Sequence, residues 1–209
     1  MRKRPSRRAG VSLVELLVAV VILSIVSATL FTIFAAGTQS FSYGTKTANL
    51  QTDLAGALHV VLDDLSVAGY LRTGPTFAFT SVTLAAGTTS ASITFEGDVN
   101  SDGFVDQITY DVASGVLRRT IDLGTAAGTF TSGGAPSTTP LMTNLTSTSP
   151  DPAGFQLTFL DATRTAITSN LQNARYAQVT LTVRDTTVKS ATSLARSLVG
   201  ETTLRNFTS

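Results

Sequence analysis

The chain has 209 residues, contains no cysteine and carries a formal net charge of +1 at pH 7. Its length suits one domain with an appendage, and the absence of cysteine excludes disulfides and thiolate metal sites. Five of the fifteen basic residues lie within residues 1–10, so residues 11–209 hold ten basic and fourteen acidic residues. This mildly acidic body does not predict direct nucleic-acid binding.

The first predicted element is an apolar helix that follows the basic leader. Residues 16–36 contain no charged residue. As a helix rising about 1.5 Å per residue, they span roughly 31 Å, close to the hydrocarbon thickness of a bilayer. The basic leader is expected to stay in the cytoplasm, and everything after residue 37 is expected on the other side of the membrane.

A secretory signal peptide is the alternative interpretation of this segment, because it also joins a positive leader to an apolar run. Small residues up to Gly37 would suit cleavage before Thr38. However, the apolar run of a signal peptide is usually about 7–15 residues long, and Glu15 interrupts the join between the basic and apolar parts. We therefore favour a retained membrane helix.

The helix is predicted to continue as an amphipathic segment up to residue 70. One apolar face is formed at spacings of three and four by Leu50, Leu54, Leu58, Val61, Leu65 and Ala68. Asp63 and Asp64 lie off this stripe and are expected to face solvent. We therefore divide the chain into a leader (1–10), a membrane and assembly half (11–37), an amphipathic half (38–70) and a C-terminal domain (75–209).

The C-terminal domain is predicted to be rich in β-strands. Apolar and polar residues alternate in residues 76–84, 91–97, 106–112, 115–121, 155–161 and 176–185. Residues 113–115 are short enough to form a hairpin, whereas residues 124–154 are rich in Gly, Ser, Thr and Pro and are predicted to be a long loop. Arg118 and Arg119 alternate in a strand, so only one of them can face the core side, and a surface position is favoured for them. The predicted fold is α+β, with a long N-terminal helix packed on an antiparallel β-sheet.

The N-terminal residues resemble a known family. A short basic leader ends at Gly10, the segment "VSLVELLVAVVIL" follows, and Glu15 stands at the fifth position after the glycine. This combination resembles the class III signal of type IV prepilins and type II secretion pseudopilins. The resemblance covers residues 2–36 closely and residues 37–70 in general shape.

The resemblance implies a processing route and a set of partners. In that family, prepilin peptidase cuts after the glycine and methylates the new amino terminus, which implies a cut between Gly10 and Val11 and an N-methylated Val11. The chain would then join other pilin or pseudopilin subunits through an inner-membrane assembly platform. Its globular domain would lie outside the bacterial inner membrane and finally at the cell surface.

Glu15 has a physical explanation within this scheme. A charge carried toward the bilayer centre costs about 2.5–3.5 kcal/mol on insertion scales, so a carboxylate is tolerated best where a positively charged group can pair with it. In the family the partner is the positive N-terminus of a neighbouring subunit, in a contact that repeats without closing and so builds a fibre. The alternative is an interfacial glutamate that reaches toward water and has no partner.

A candidate metal site lies in the segment "DVNSDGFVD". Its oxygen-bearing residues occupy alternate positions of a calcium-loop pattern and are Asp98, Asn100, Asp102 and Asp106. Thr109 stands where the pattern requires a bidentate glutamate, so a strand connection built on Asx turns is the competing interpretation. No other cofactor is predicted.

An enzyme is not predicted. His59 is the only histidine and lies in the amphipathic helix, and no Ser-His-Asp set, zinc-ligand cluster or phosphate-binding glycine loop occurs. Residues 50–70, 175–185 and 197–209 resemble parts of minor pilins and J-type pseudopilins. The predicted function is therefore a minor subunit of a pilus or pseudopilus, and the alternative is a secreted or membrane-anchored, adhesin-like domain that does not polymerise.

Overall fold

A computed structural model describes residues 11–69, 79–83, 92–125, 136–143, 145, 154–167, 173–185 and 194–204. The chain divides into two compact units, Met1–Ala48 and Asn49–Ser209. A single long helix, α1 (Leu13–Ser66), begins in the first unit and ends in the second.

In the first unit, α1 exposes apolar side chains all round its surface. By length and composition this helix could cross a membrane, although a signal sequence near an N-terminus passes the same test. Five hydroxyl side chains donate hydrogen bonds to carbonyls three or four residues earlier in the helix, and they belong to Ser24, Thr29, Thr32, Thr38 and Thr45. These hydroxyls are therefore satisfied within the helix and require no polar partner in lipid.

In the second unit, one face of α1 is buried in the core. Its buried apolar residues are Leu54, Ala57, Leu58, Val61 and Leu65. The predicted apolar stripe is confirmed, because its remaining members, Leu50 and Ala68, are partly and fully buried respectively. The expectation that Asp64 faces solvent is wrong, since Asp64 is only 6% exposed.

The first sheet is antiparallel and contains five strands in chain order. They are β1 (Phe79–Thr83), β2 (Ser92–Gly97), β3 (Asp106–Ala113), β4 (Val116–Asp122) and β5 (Ser137–Met142). The predicted β3–β4 hairpin is present, with Ala113 paired to Val116. Its two central residues, Ser114 and Gly115, have φ of 53° and 73°, as a type I′ turn requires.

The second sheet is also antiparallel and has the strand order β7-β6-β8-β9. Its strands are β6 (Phe155–Leu160), β7 (Ala166–Ile167), β8 (Tyr176–Asp185) and β9 (Leu194–Thr203). Helix α1 approaches this sheet closely at Gly200, where an added Cβ would lie 2.5 Å from Leu62 Cδ1 and 2.9 Å from Leu58 Cδ2. A side chain at position 200 would therefore require the side chains of Leu58 and Leu62 to shift.

The predicted α+β class, with a long N-terminal helix on antiparallel strands, is confirmed. Two details differ from the expectation. The strands form two sheets rather than one, and β5 lies inside residues 124–154, which were predicted to be a loop. The helix ends at Ser66, followed by turn residues 67–69, while residues 70–78 and most of the predicted loop lie outside the described residues.

Candidate assembly site and acidic loop

The start of α1 is fixed by a reciprocal pair of hydrogen bonds. Ser12 precedes the first helical residue and its carbonyl accepts the first helical bond from Leu16 N, at 3.1 Å. Glu15 N donates to Ser12 Oγ at 3.2 Å, and Ser12 N donates to Glu15 Oε2 at 3.5 Å. This is a capping box: the Ser12 hydroxyl and the Glu15 carboxylate each accept a hydrogen bond from a backbone N–H that the helix leaves unpaired.

Glu15 therefore has a local hydrogen-bond donor, whereas the sequence predicted only a partner on another subunit or none. Its carboxylate also lies in the first turn, where the positive end of the helix dipole favours negative charge. Both Ser12 and Glu15 are exposed. Of the predicted processing residues, Val11 is exposed and non-helical, while Gly10 lies outside the described residues.

The acidic loop between β2 and β3 uses its carboxylates to bind backbone amides. Asp98 accepts hydrogen bonds from Asp102 N at 3.2 Å and Gly103 N at 3.1 Å. Asp106 accepts from Val99 N at 3.3 Å and Gly124 N at 2.9 Å, so it joins the loop to the end of β4. Both residues are buried.

The remaining polar residues of the loop form tight turns. The Asn100 side chain accepts a hydrogen bond from Asp102 N and donates one to Asp102 Oδ2. Asp102 Oδ1 in turn accepts a hydrogen bond from Phe104 N at 2.8 Å. Ser101 and Gly103 have φ of 60° and 88°, the left-handed conformation typical of such turns. Burial raises the pKa of Asp106, and the nearby Asp98 and Asp102 add to the rise, while amide donors oppose it.

Within the described ranges, no group of three or more His, Asp or Glu side chains is placed to hold a metal ion. The hydrogen bonds of the loop match the turn interpretation, and calcium binding at Asp98, Asn100, Asp102 and Asp106 stays a prediction.

If the acidic loop binds calcium, then calcium, but not magnesium, should raise the melting temperature of the full-length protein in detergent. Asp102→Asn should abolish that rise, whereas equal melting temperatures with and without calcium would support a turn alone.

Sequence reasoning missed a buried polar cluster that joins α1 to the first sheet. Asp64 accepts a hydrogen bond from Tyr110 Oη at 2.5 Å, and its two oxygens accept from Arg119 Nε at 2.6 Å and Nη2 at 2.8 Å. Tyr110 is fully buried, and burial together with the Asp64 charge raises its pKa. The placement of Arg119 at the surface was wrong, since its side chain is 22% exposed.

One signal in the sequence could have located Arg119. It shares the period-two face of β4 with Leu117 and Ile121, so it points to the core side of the sheet. Arg118 points to the other face and pairs with Asp111 across the strand, as expected for a surface residue. His59 is exposed beside Asp63, at 3.2 Å, and contributes to no catalytic group among the described residues.

Two comparisons with known proteins agree with these features. Residues 5–37 match the family model of the prokaryotic N-terminal methylation motif. The structure resembles a type IV-like pilin from Thermus thermophilus, with a TM-score of 0.50 and 14% sequence identity, over 76% of this chain and 98% of that chain. A comparison with curated protein sequences gives no match.

The motif lies where the sequence predicted it and includes the capped start of α1. At 14% identity the structural match concerns the fold alone. The chain therefore carries the prokaryotic N-terminal methylation motif and has a fold similar to that of a type IV-like pilin.

Proposed function

We propose that this chain is a minor subunit of a type IV pilus or of a type II secretion pseudopilus. The observation that carries the proposal is the methylation motif at residues 5–37, which coincides with a membrane-length apolar helix and a pilin-like fold. The resemblance of three segments of the sequence to parts of minor pilins and J-type pseudopilins favours a minor subunit over a major one. Such a subunit serves pilus biogenesis, adhesion, motility, DNA uptake or protein secretion.

The proposed processing follows the motif residue by residue. Prepilin peptidase removes residues 1–10 by cutting between Gly10 and Val11, and the amino group of Val11 is then methylated. Val11 is followed directly by the helix cap at Ser12, so the cut leaves the helix start intact. Loss of the basic leader also removes five positive charges that hold the N-terminus on the cytoplasmic side.

The proposed assembly uses the exposed apolar surface of α1. Leaving the bilayer would expose this surface to water unless neighbouring helices cover it, and the burial of apolar side chains then favours a fibre. Glu15 would accept the positive N-terminus of a neighbouring subunit, which fixes the axial position of each new subunit. Its partners are other pilin or pseudopilin subunits and the inner-membrane assembly platform.

A protein that stays anchored and never polymerises is the second candidate function. The acidic loop favours this candidate, because the buried Asp98 and Asp106 hold the loop through hydrogen bonds to its backbone while Phe104 is exposed, and an exposed aromatic side chain on an ordered loop suits ligand recognition.

The two candidates differ in where the mature protein is found. In cells that lack prepilin peptidase, a pilus subunit should keep residues 1–10 and disappear from sheared fibres, whereas an anchored adhesin should be unaffected.

A further inference from the structure

One edge of the second sheet is formed by the long strand β9. This strand (Leu194–Thr203) has ten residues and pairs with β8 in an unbroken antiparallel register. It is the last strand in the order of its sheet, so no described strand pairs with its other side. Alternate residues of an edge strand direct their backbone N–H and C=O groups away from the sheet, where water or another extended chain must satisfy them. The outer edge of β9 is therefore a template for one further strand.

The other three edges of the two described sheets carry features that hinder such pairing. Strand β1 is five residues long, and its register with β2 is irregular. Strand β5 contains Pro140, which has no amide N–H, and its register with β4 is also irregular. Strand β7 has only two residues. Among the described edge strands, β9 alone is long, regular and without proline or lysine, so its edge is the one best suited to accept a strand.

The centre of β9 exposes an apolar side chain on each face of the sheet. Leu198 and Val199 are 37% and 55% exposed. Leu198 lies on the face where Gly200 meets Leu58 and Leu62 of α1, and Val199 lies on the opposite face. A strand placed beside β9 would cover both side chains, and the burial of their apolar surface favours such a contact.

The sequence of β9 is suited to pairing with a second copy of itself. In a two-fold antiparallel pair, opposed residues lie on the same face, so the register is centred on one residue. A register centred on Val199 sets the two copies of this side chain opposite each other. It also places Leu198 of each copy opposite Gly200 of the other, beside the partly buried side chain of Leu62. Apolar groups therefore meet on both faces of the joined sheet.

The charges of β9 favour the same register. It places Arg196 and Glu201 opposite the uncharged residues Thr202 and Ser197, so no like charges are opposed. A centre one residue earlier would set Arg196 opposite Gly200, against the apolar side chains of α1. A centre one residue later would set Glu201 opposite the central valine. The register centred on valine is thus the one that avoids both mismatches.

We propose that β9 is a self-association surface, through which two copies of this chain join their four-stranded second sheets into one sheet about a two-fold axis. Such a contact closes on itself after two copies, so it cannot extend into a fibre and is separate from the proposed fibre contact. The edge offers ten residues a side, fewer than the roughly 20–30 of a stable interface. We therefore expect the pair to form where α1 anchors both copies in one bilayer, which raises their local concentration.

Single cysteines introduced into β9 test this pairing, because the chain contains no cysteine of its own. The full-length protein is reconstituted in lipid vesicles and oxidised with copper–phenanthroline, and the disulfide-linked dimer is measured on a non-reducing gel. Val199→Cys should give at least about tenfold more dimer than Ser197→Cys, the matched control on the same face of the same strand. In the proposed register the two cysteines at 199 are opposed, whereas those at 197 lie roughly 14 Å apart along the strands, beyond the reach of a disulfide.

A second substitution tests whether the pairing depends on the exposed leucine. Leu198→Lys, added to Val199→Cys, should lower the amount of dimer to that of Ser197→Cys, because a lysine hinders pairing at a sheet edge and would lie beside Leu62 of the other copy. The melting temperature, followed by circular dichroism, should change little, since Leu198 is partly exposed already. The comparison of Val199→Cys with Ser197→Cys needs no such substitution in the strand and decides the register by itself.

Three results would overturn the proposal. They are the absence of dimer in Val199→Cys, equal amounts of dimer in Val199→Cys and Ser197→Cys, and an undiminished amount of dimer after Leu198→Lys in a protein that melts at the native temperature. The vesicles contain neither prepilin peptidase nor an assembly platform, so each of these results would leave the proposed assembly into a fibre untouched. Failure of the proposed function would appear instead in the fibres of native cells.

Discussion

Arg119→Met should lower the free energy of unfolding by about 3–5 kcal/mol, because it leaves the buried Asp64 carboxylate without its charged partner. Tyr110 would still donate one hydrogen bond to Asp64, but a phenol cannot neutralise the charge. Chemical unfolding of the full-length protein in detergent, followed by the circular dichroism of its strands, measures the change.

The adjacent residue is the matched control for this variant. Arg118 pairs with Asp111 on the exposed face of β4, where solvent screens the charges, so Arg118→Met should change stability little. A double variant, Asp64→Leu with Arg119→Met, should recover most of the loss, since it leaves no buried charge behind. Equal stability of the Arg118 and Arg119 variants would contradict the assignment of a buried ion pair.

Glu15→Gln should reduce the amount of this chain in fibres by more than about tenfold, because truncating one member of a desolvated charge pair costs about 2–5 kcal/mol. The glutamine amide can still accept from Ser12 N, so the helix start is preserved. The loss would therefore report on the charge and not on the cap. The measurement is the ratio of fibre to membrane protein in sheared cells.

Glu201→Gln provides the control for Glu15→Gln. Glu201 lies in β9 and pairs with Arg164 at the surface, at 3.2 Å, so the same chemical change there should leave assembly unchanged. The folded part of the chain should also unfold at the same temperature in both variants. Normal assembly of Glu15→Gln would exclude the charge pair with a neighbouring subunit.

The elements that the sequence predicted correctly are those whose pattern is local. The apolar spacing of α1 and the alternation in β2, β3, β4, β6 and β8 follow from burial of one face, and this periodicity is visible without a partner. The N-terminal methylation motif is likewise contained in one short segment, residues 5–37. The strand β5 escaped notice because its side chains are mostly exposed and include Pro140, so they show no alternation.

The features that sequence reasoning missed depend on residues far apart in the chain. Asp64 looks like a solvent-facing residue until Arg119, 55 residues later, is placed beside it. The role of Asp106 also depends on a distant residue, because its hydrogen-bond donor Gly124 N follows the end of β4. The division into two sheets also depends on which strands meet, and hydrophobic alternation carries no information on pairing order.

Mass spectrometry of the mature N-terminus tests the central claim most directly. If the chain is a processed pilin-like subunit, the protein isolated from its native cells begins at Val11 and carries one N-methyl group. The same protein from cells without prepilin peptidase begins with the leader. A mature chain that begins at Thr38, as after signal-peptide cleavage, would contradict the account, because Glu15 and the apolar half of α1 would then be absent from the finished protein.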